Sequence, residues 1–379
     1  MNQLLETTET DLQVDWKHVG ETIKSHGVTI RAILLTGSFG RGEGIWLTDK
    51  NGKSFPINDY DIIVVTAKES GKIEYEENEQ LQIELAQLLN IRQVDISYMC
   101  ETRISALRKT QANFDIINGS TVVYGDGQVL SLANKFNASE IQMREALKPI
   151  WLYLTSLMHA ENYVSSDNIF ERYWCLQQIY KSTMGCVTAM LLINREYEIN
   201  SEKRILKIMN NKLISVEYSK LINNCLKFKR NRSIEFVHAV DVRAELEAAS
   251  RFHLEVLSEV MSIYYRTANK SLYMIMHRFG FRNVIKYILY LMNKKSYYTN
   301  LCIDFVKYYY VNSKVNEGDD PKSEEQIIKW LIKIGVEEGE IRKICKEKDK
   351  LRLFIIKHDI NGRRFHEQGY DCFKHFKLA

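Results

Sequence analysis

Two spacings of apolar residues divide this chain. Up to about residue 137 they come in short runs and at every second position, as strands require. From Ser139 onward they recur about every 3.6 residues, as helices with one buried side require. The first part predicts a helix over 11–26, a strand over Thr29–Thr36 and a second strand starting near Asp59 and running through Ile62-Ile63-Val64-Val65. Between these two strands, Asn51-Gly52 separates two arms that contain apolar residues, within Trp46–Pro56, and so predicts a small hairpin. A helix follows over Glu79–Leu89, with Leu81, Leu85, Leu88 and Leu89 on one face, and then a strand over Gln93–Tyr98. A helix over Thr102–Ala112 and a short strand over Thr121–Gly127, ending in a turn, complete this part.

In the second part Ile141, Leu147, Ile150, Trp151, Leu154 and Met158 form one helical stripe, with Pro149 expected to kink it. Further helices are predicted over about 171–194, 202–211, 215–229, 241–266, 271–293 and 300–312. Asn316-Glu317-Gly318-Asp319-Asp320-Pro321 reads as a linker. Beyond it, Ser323 with Gln326 makes a capping-box start for a helix through Ile334, and short helices are expected at 338–347 and 350–358. The pattern therefore predicts an α+β chain with a small mixed β-sheet domain over 1–137, an all-α helical domain over 138–315 and a small C-terminal helical segment over 322–379. The presence of only three prolines, at 56, 149 and 321, favours such long helices.

Composition narrows the setting. A length of 379 residues allows two or three domains, and 45% hydrophobic with 26% charged residues is ordinary for a globular protein. A net charge of +4 gives no reason to expect a nucleic-acid or membrane partner. Seven scattered cysteines without a C-x-x-C motif read as reduced thiols of a cytoplasmic protein. The polar start, Met1 to Asp15, lacks the basic and apolar regions of a signal peptide, and no run approaches 18 uninterrupted apolar residues. Oligomeric state is left open.

Candidate chemistry gathers in two stretches. Leu34-Leu35-Thr36-Gly37-Ser38-Phe39-Gly40-Arg41-Gly42-Glu43-Gly44 reads as a buried strand entering a Gly-Ser turn, whose free backbone N–H groups can hold an anion. Asn58-Asp59-Tyr60-Asp61 then places two carboxylates at i and i+2, which leave one face of a strand. Close carboxylates repel each other unless a cation lies between them, and hard oxygen ligands suit Mg²⁺. A phosphate cradle beside a magnesium site points to a nucleoside triphosphate. Arg41 is either a cation for its β- or γ-phosphate or an exposed arginine without a role, and Glu43 is expected to be solvated.

A strand, Gly37-Ser38, a short helix and then Asp59-Tyr60-Asp61 on the next strand resembles the DNA polymerase β-type nucleotidyltransferase superfamily, over roughly residues 28 to 130. The resemblance makes the first domain a nucleotidyltransferase domain and implies a third acid on a neighbouring strand, here Asp95 within Gln93-Val94-Asp95-Ile96-Ser97-Tyr98. It implies two Mg²⁺ ions held by Asp59, Asp61 and Asp95, with Asp95 also taking the acceptor proton. Gly37, Ser38 and Arg41 would steady the departing pyrophosphate. Lys181, midway along the second helix of the helical domain, would reach the triphosphate, although a solvated helix lysine is an equal competitor. The implied reaction moves a nucleoside monophosphate, AMP from ATP by expectation, onto a hydroxyl or phosphate of a small-molecule acceptor. An RNA- or protein-modifying member and a catalytically silent nucleotide-binding protein are the alternatives. One departure is the separation of Ser38 from Asp59 by twenty residues, more than is usual in the family, which the inserted hairpin accounts for.

Other features have plainer explanations. Ser296-Tyr297-Tyr298 and Lys307-Tyr308-Tyr309-Tyr310 could stack on nucleic acid, but tyrosines at helical spacing more often pack. Lys227-Phe228-Lys229-Arg230-Asn231-Arg232 is either an RNA-binding edge or a helix C-terminus, whose dipole favours cations. His159, His238, His253 and His277 lie on separate predicted helices and lack metal-binding spacing.

Overall fold

In the computed structural model of the chain, the residues described are 14–44, 46–48, 54–56, 59–67, 75–89, 91, 93–211, 213–230, 234–264, 266, 310–311 and 328. They form a mixed α and β protein, mostly helical, with one small four-stranded sheet. The chain divides into two compact units, the first reaching Gln142 and also taking Glu198–Asn200, the second starting at Met143.

The first unit opens with α1 (Trp16–Ser25), whose Asp15 cap accepts from the His18 N–H. Then come β1 (Ile30–Leu35), the single-turn α2 (Gly37–Gly40), and β2 (Trp46–Thr48) with β3 (Ser54–Pro56). β2 and β3 pair antiparallel, Trp46 opposite Pro56, so the hairpin expected within 46–56 is present. Next are β4 (Tyr60–Thr66), α3 (Tyr75–Leu88), β5 (Val94–Cys100), α4 (Glu101–Ser105), α5 (Gln111–Gly119) and β6 (Thr121–Gly125). The sheet order is β5-β4-β1-β6; β1 runs antiparallel to β4 and β6, and β4 runs parallel to β5. A parallel pair needs a crossover, and α3 supplies it.

One face of the sheet is the core. Ile33, Tyr60, Ile62, Val64, Val94 and Ile96 meet Val19 and Ile23 of α1 and Leu81, Leu85 and Ala86 of α3. Alternation along β4 and β5 then sends the side chains of Asp61 and Asp95 to the other face. Leu88, expected on the buried side of α3, is 38% exposed, and Ala86 takes a place in the core instead. The single helix expected over Thr102–Ala112 is two helices. Thr110 caps α5 by accepting from the Asn113 N–H, so a new helix starts where the old one was expected to end.

The second unit contains α6 (Leu147–Ala160), α7 (Ile169–Ile193), α8 (Ser201–Asn210), α9 (Ser219–Arg230), α10 (Ile234–Ala239) and α11 (Val242–Tyr264). α6, α7 and α11 pack on one another, with Ile150, Leu154, Met158, Cys186, Val187, Leu257 and Val260 fully buried. Pro149 lies in the first turn of α6, not at a kink. A first-turn N–H has no intrahelical acceptor to lose, so proline is tolerated there. The short α10 had no clear signal in the apolar pattern. At the centre, the His253 ring bridges the three helices: its Nε2 lies 3.0 Å from the Ile150 carbonyl and its Nδ1 2.7 Å from the Ser182 hydroxyl. A carbonyl only accepts, so Nε2 carries the hydrogen, and a neutral ring then takes the Ser182 hydroxyl hydrogen at Nδ1.

The helices expected over 271–293, 338–347 and 350–358, most of 300–312 and of the helix starting at Ser323, and the linker at 316–321 lie outside the described residues. Tyr310 is described, and it is buried and donates to Glu161 at 2.7 Å, which is packing and not a stacking surface. Among the described residues no helix is long and apolar enough to cross a membrane. Cys100, Cys175, Cys186 and Cys225 are buried thiols, none in a disulfide.

Candidate metal centre

Three carboxylates meet at one edge of the sheet. Asp59 immediately precedes β4, Asp61 is its second residue, and Asp95 on β5 stands in register with Asp61 on the adjacent parallel strand. Neighbouring strands lie about 4.8 Å apart, and side chains in register on parallel strands leave the same face, so the register alone brings Asp61 and Asp95 together. Asp59 joins them through the two-residue period of β4. One carboxylate oxygen from each of the three lies within 4.8 Å of the others, and none of the three residues is buried. This group can hold a metal ion, and oxygen-only ligands favour a hard divalent cation.

The Gly37-Ser38 turn is fastened to the same place. The Thr36 N–H and the Thr36 hydroxyl both donate to the Asp61 carbonyl, at 2.8 and 3.1 Å, which locks the end of β1 to the start of β4. Gly37 has φ +63°, and a Cβ built there would overlap Asp61 Oδ2. Only glycine allows the turn to pass this close to the carboxylate. Ser38 is half-buried in the single helical turn that follows, and its carbonyl accepts from the Glu43 N–H at 2.7 Å.

Arg41 and Glu43 differ from their expected state. The Arg41 guanidinium pairs with Glu43 at 3.2 Å, and the two side chains are 18% and 13% exposed. Glu43 is therefore not a solvated acid, and the charge of Arg41 is compensated within the loop. The stem of Arg41 lies so close to Gly119 that a Cβ there would stand 2.8 Å from it, which leaves the arginine little freedom to swing.

Partial desolvation by surrounding atoms raises the pKa of the Asp95 carboxyl, a hydrogen bond from Gln93 works the other way, and the Asp59 charge adds to the rise. The Gln93 amide donates to Asp95 Oδ1 at 2.8 Å. Gln93 was not singled out by its residue type. Its position was legible all the same, because it precedes Asp95 by two on a strand and so shares its face.

Lys181 is half-buried on α7 of the second unit. Two cations of the basic run at the end of α9 are engaged within that unit: Lys229 donates to the Ser201 hydroxyl at 3.0 Å, and Arg230 pairs with Glu202, while Arg232 lies outside the described residues. Phe228 is 2% exposed and packs against Tyr173, Tyr180 and Phe236, so its ring is core and not a base platform. His253 is the satisfied core histidine described above.

No protein-family model matches this chain, and no curated protein matches it.

Proposed function

We propose that the protein is a Mg²⁺-dependent nucleotidyltransferase that moves a nucleoside monophosphate, AMP from ATP in the first instance, onto a hydroxyl or phosphate of a small-molecule acceptor. The observation that carries this reading is the convergence of Asp59, Asp61 and Asp95 beside the Gly37-Ser38 turn. A sheet-bearing nucleotidyltransferase domain followed by an all-α domain is part of the same reading.

In the reaction an acceptor oxygen attacks the α-phosphorus, the bond from that phosphorus to the bridging oxygen breaks, and pyrophosphate leaves. Such transfer depends mostly on positioning and on neutralising charge. Asp59, Asp61 and Asp95 would hold two Mg²⁺ ions, which when bound supply charge neutralisation and activation of the nucleophile. Asp95 would also take the acceptor proton, the role that the resemblance to the superfamily gives it. Gly37 and Ser38 bring backbone N–H groups to the departing phosphates without adding bulk. Arg41 has the smaller part of holding the loop through Glu43, and Lys181 enters the reading only through the resemblance to the superfamily. The engagement of Lys229 and Arg230 within α9's own unit and the burial of Phe228 favour a small acceptor over RNA. Buried thiols without disulfides fit a cytoplasmic setting.

The test is incubation of the purified protein with each nucleoside triphosphate, labelled at the α-phosphate, plus Mg²⁺ and fractionated small metabolites. Pyrophosphate release with transfer of the label to a small molecule is the expected result, lost with chelator and in Asp61→Asn. Absence of transfer from every nucleotide, or transfer that Asp61→Asn retains, would overturn the proposal.

A further inference from the structure

We propose that Gln93 is a positioning residue for the carboxylate cluster: its neutral amide fixes the plane of the Asp95 carboxylate without lending it a compensating positive charge. This inference rests on the reading of the cluster as a metal site.

Asp95 stands on β5, which is an edge strand of the four-stranded sheet. Its inner side is flanked by β4 and Asp61, and among the described residues no strand pairs with its outer side. The terminal torsion of an aspartate is broad, so a carboxylate at such an edge is not oriented by its rotamer alone. Gln93 supplies the missing constraint. It precedes Asp95 by two residues, shares its face, and donates from Nε2 to Oδ1 at 2.8 Å. The backbone of Gln93 is itself anchored, because its carbonyl accepts from the Tyr60 N–H at 3.2 Å. Tyr60 lies between Asp59 and Asp61, so a single connection ties the donor to the strand that carries the other two acids.

The chemistry of the donor matters as much as its place. A lysine or arginine would orient the carboxylate equally well but would cancel part of the negative charge that a divalent cation needs. An amide donates a hydrogen bond and keeps the cluster anionic. Outer partners of this kind orient metal ligands, and losing one typically weakens metal binding by about 10- to 100-fold.

The experiment is a Mn²⁺ titration of the full chain by calorimetry at one pH, for wild type, Gln93→Met and Gln93→Lys, with thermal melting of each protein in the absence of metal. Met keeps the length of the side chain and removes the donor; Lys keeps a donor and adds the charge. The expected result is a loss of affinity of about 10- to 100-fold in Gln93→Met, a loss at least as large in Gln93→Lys, and metal-free melting close to wild type in both. Wild-type affinity in Gln93→Met overturns the positioning role while the metal site stands. Full affinity in Gln93→Lys overturns the requirement for a neutral donor. A Gln93→Met protein whose melting falls along with its affinity makes the residue a support of the strand, which also overturns the inference. Absence of Mn²⁺ binding by the wild type removes both the inference and the metal site beneath it.

Discussion

The two units treat ionisable groups in opposite ways. In the second unit three of them are dispersed over different helices, each with at least one hydrogen-bond partner of its own. Arg172 donates to the carbonyls of Val237 and Val240, Arg204 donates to the Thr188 hydroxyl and stacks over the Tyr197 ring, and Glu245 accepts from the Asn224 amide. In the first unit three like charges are gathered at one edge, where each makes the others less stable. Paired polar groups inside a helical bundle contribute to a defined core, whereas crowded carboxylates cost stability and are tolerated where a cation completes them. On the proposed function the contrast separates a region arranged for packing from one arranged for chemistry, and four changes can break or sharpen it.

The largest effect is expected from Asp61→Asn. Transfer should fall by about a hundred- to a thousandfold, the scale on which loss of one electrostatic partner of the transition state acts. Metal-free melting should hold or rise, because the substitution relieves repulsion. Label transfer and melting curves check both; a fall in melting temperature with activity retained would give Asp61 to the packing side of the comparison.

His253→Ala should do the reverse. Truncating a fully buried ring leaves a cavity and an unpartnered Ser182 hydroxyl, at a cost of about 3 kcal/mol. Denaturant midpoints measure this, and Mn²⁺ affinity of the folded protein should not change.

Gly37→Ala should affect both properties at once. A positive φ costs a non-glycine residue about 1–2 kcal/mol, and the new methyl must displace the Asp61 carboxylate. Mn²⁺ affinity should fall with stability, by about tenfold if the effect matches loss of an orienting partner. An unchanged affinity would show that the turn and the carboxylate are not coupled.

The smallest effect concerns pH and tests the comparison on two acids with the same primary shift. Desolvation, partial at Asp95 and deep at Glu245, is the first cause of the raised pKa of both acids, whose ordinary values are 3.8 and 4.5. Between the ordinary and the raised value the folded protein binds more protons than the unfolded chain, so stability falls as pH rises through that window. The windows open near 3.8 and near 4.5 and extend upward to the raised values. Asp95→Asn and Glu245→Gln should each flatten the slope of stability against pH. Divalent metal should abolish the Asp95 contribution, because it binds the ionised form, and leave that of Glu245 in place. A Glu245 contribution that metal also removes would show that the cation acts elsewhere.

The strands β1, β4 and β5 and the crossover helix were legible in the sequence because each rests on local periodicity, and the inserted hairpin because Asn51-Gly52 is a local turn signal. So was the pairing of Asp59 with Asp61, which share a face by spacing alone, whereas Asp95 was expected only through the resemblance to the superfamily. The break between α4 and α5 was missed because it depends on one cap, Thr110, inside an otherwise helical stretch. Pro149 was misjudged because the helix start two residues before it is preceded by 3₁₀ turns that the apolar stripe does not distinguish from helix. By itself the sequence determined which residues alternate and therefore which carboxylates can face one way. Only the tertiary structure decided that β5 lies beside β4 with Asp95 opposite Asp61, that Glu43 compensates Arg41, and that Phe228 is core. The reason is physical: periodicity constrains neighbours along one strand or helix, whereas register between strands and the partner of a charge are set by contacts between residues distant in sequence.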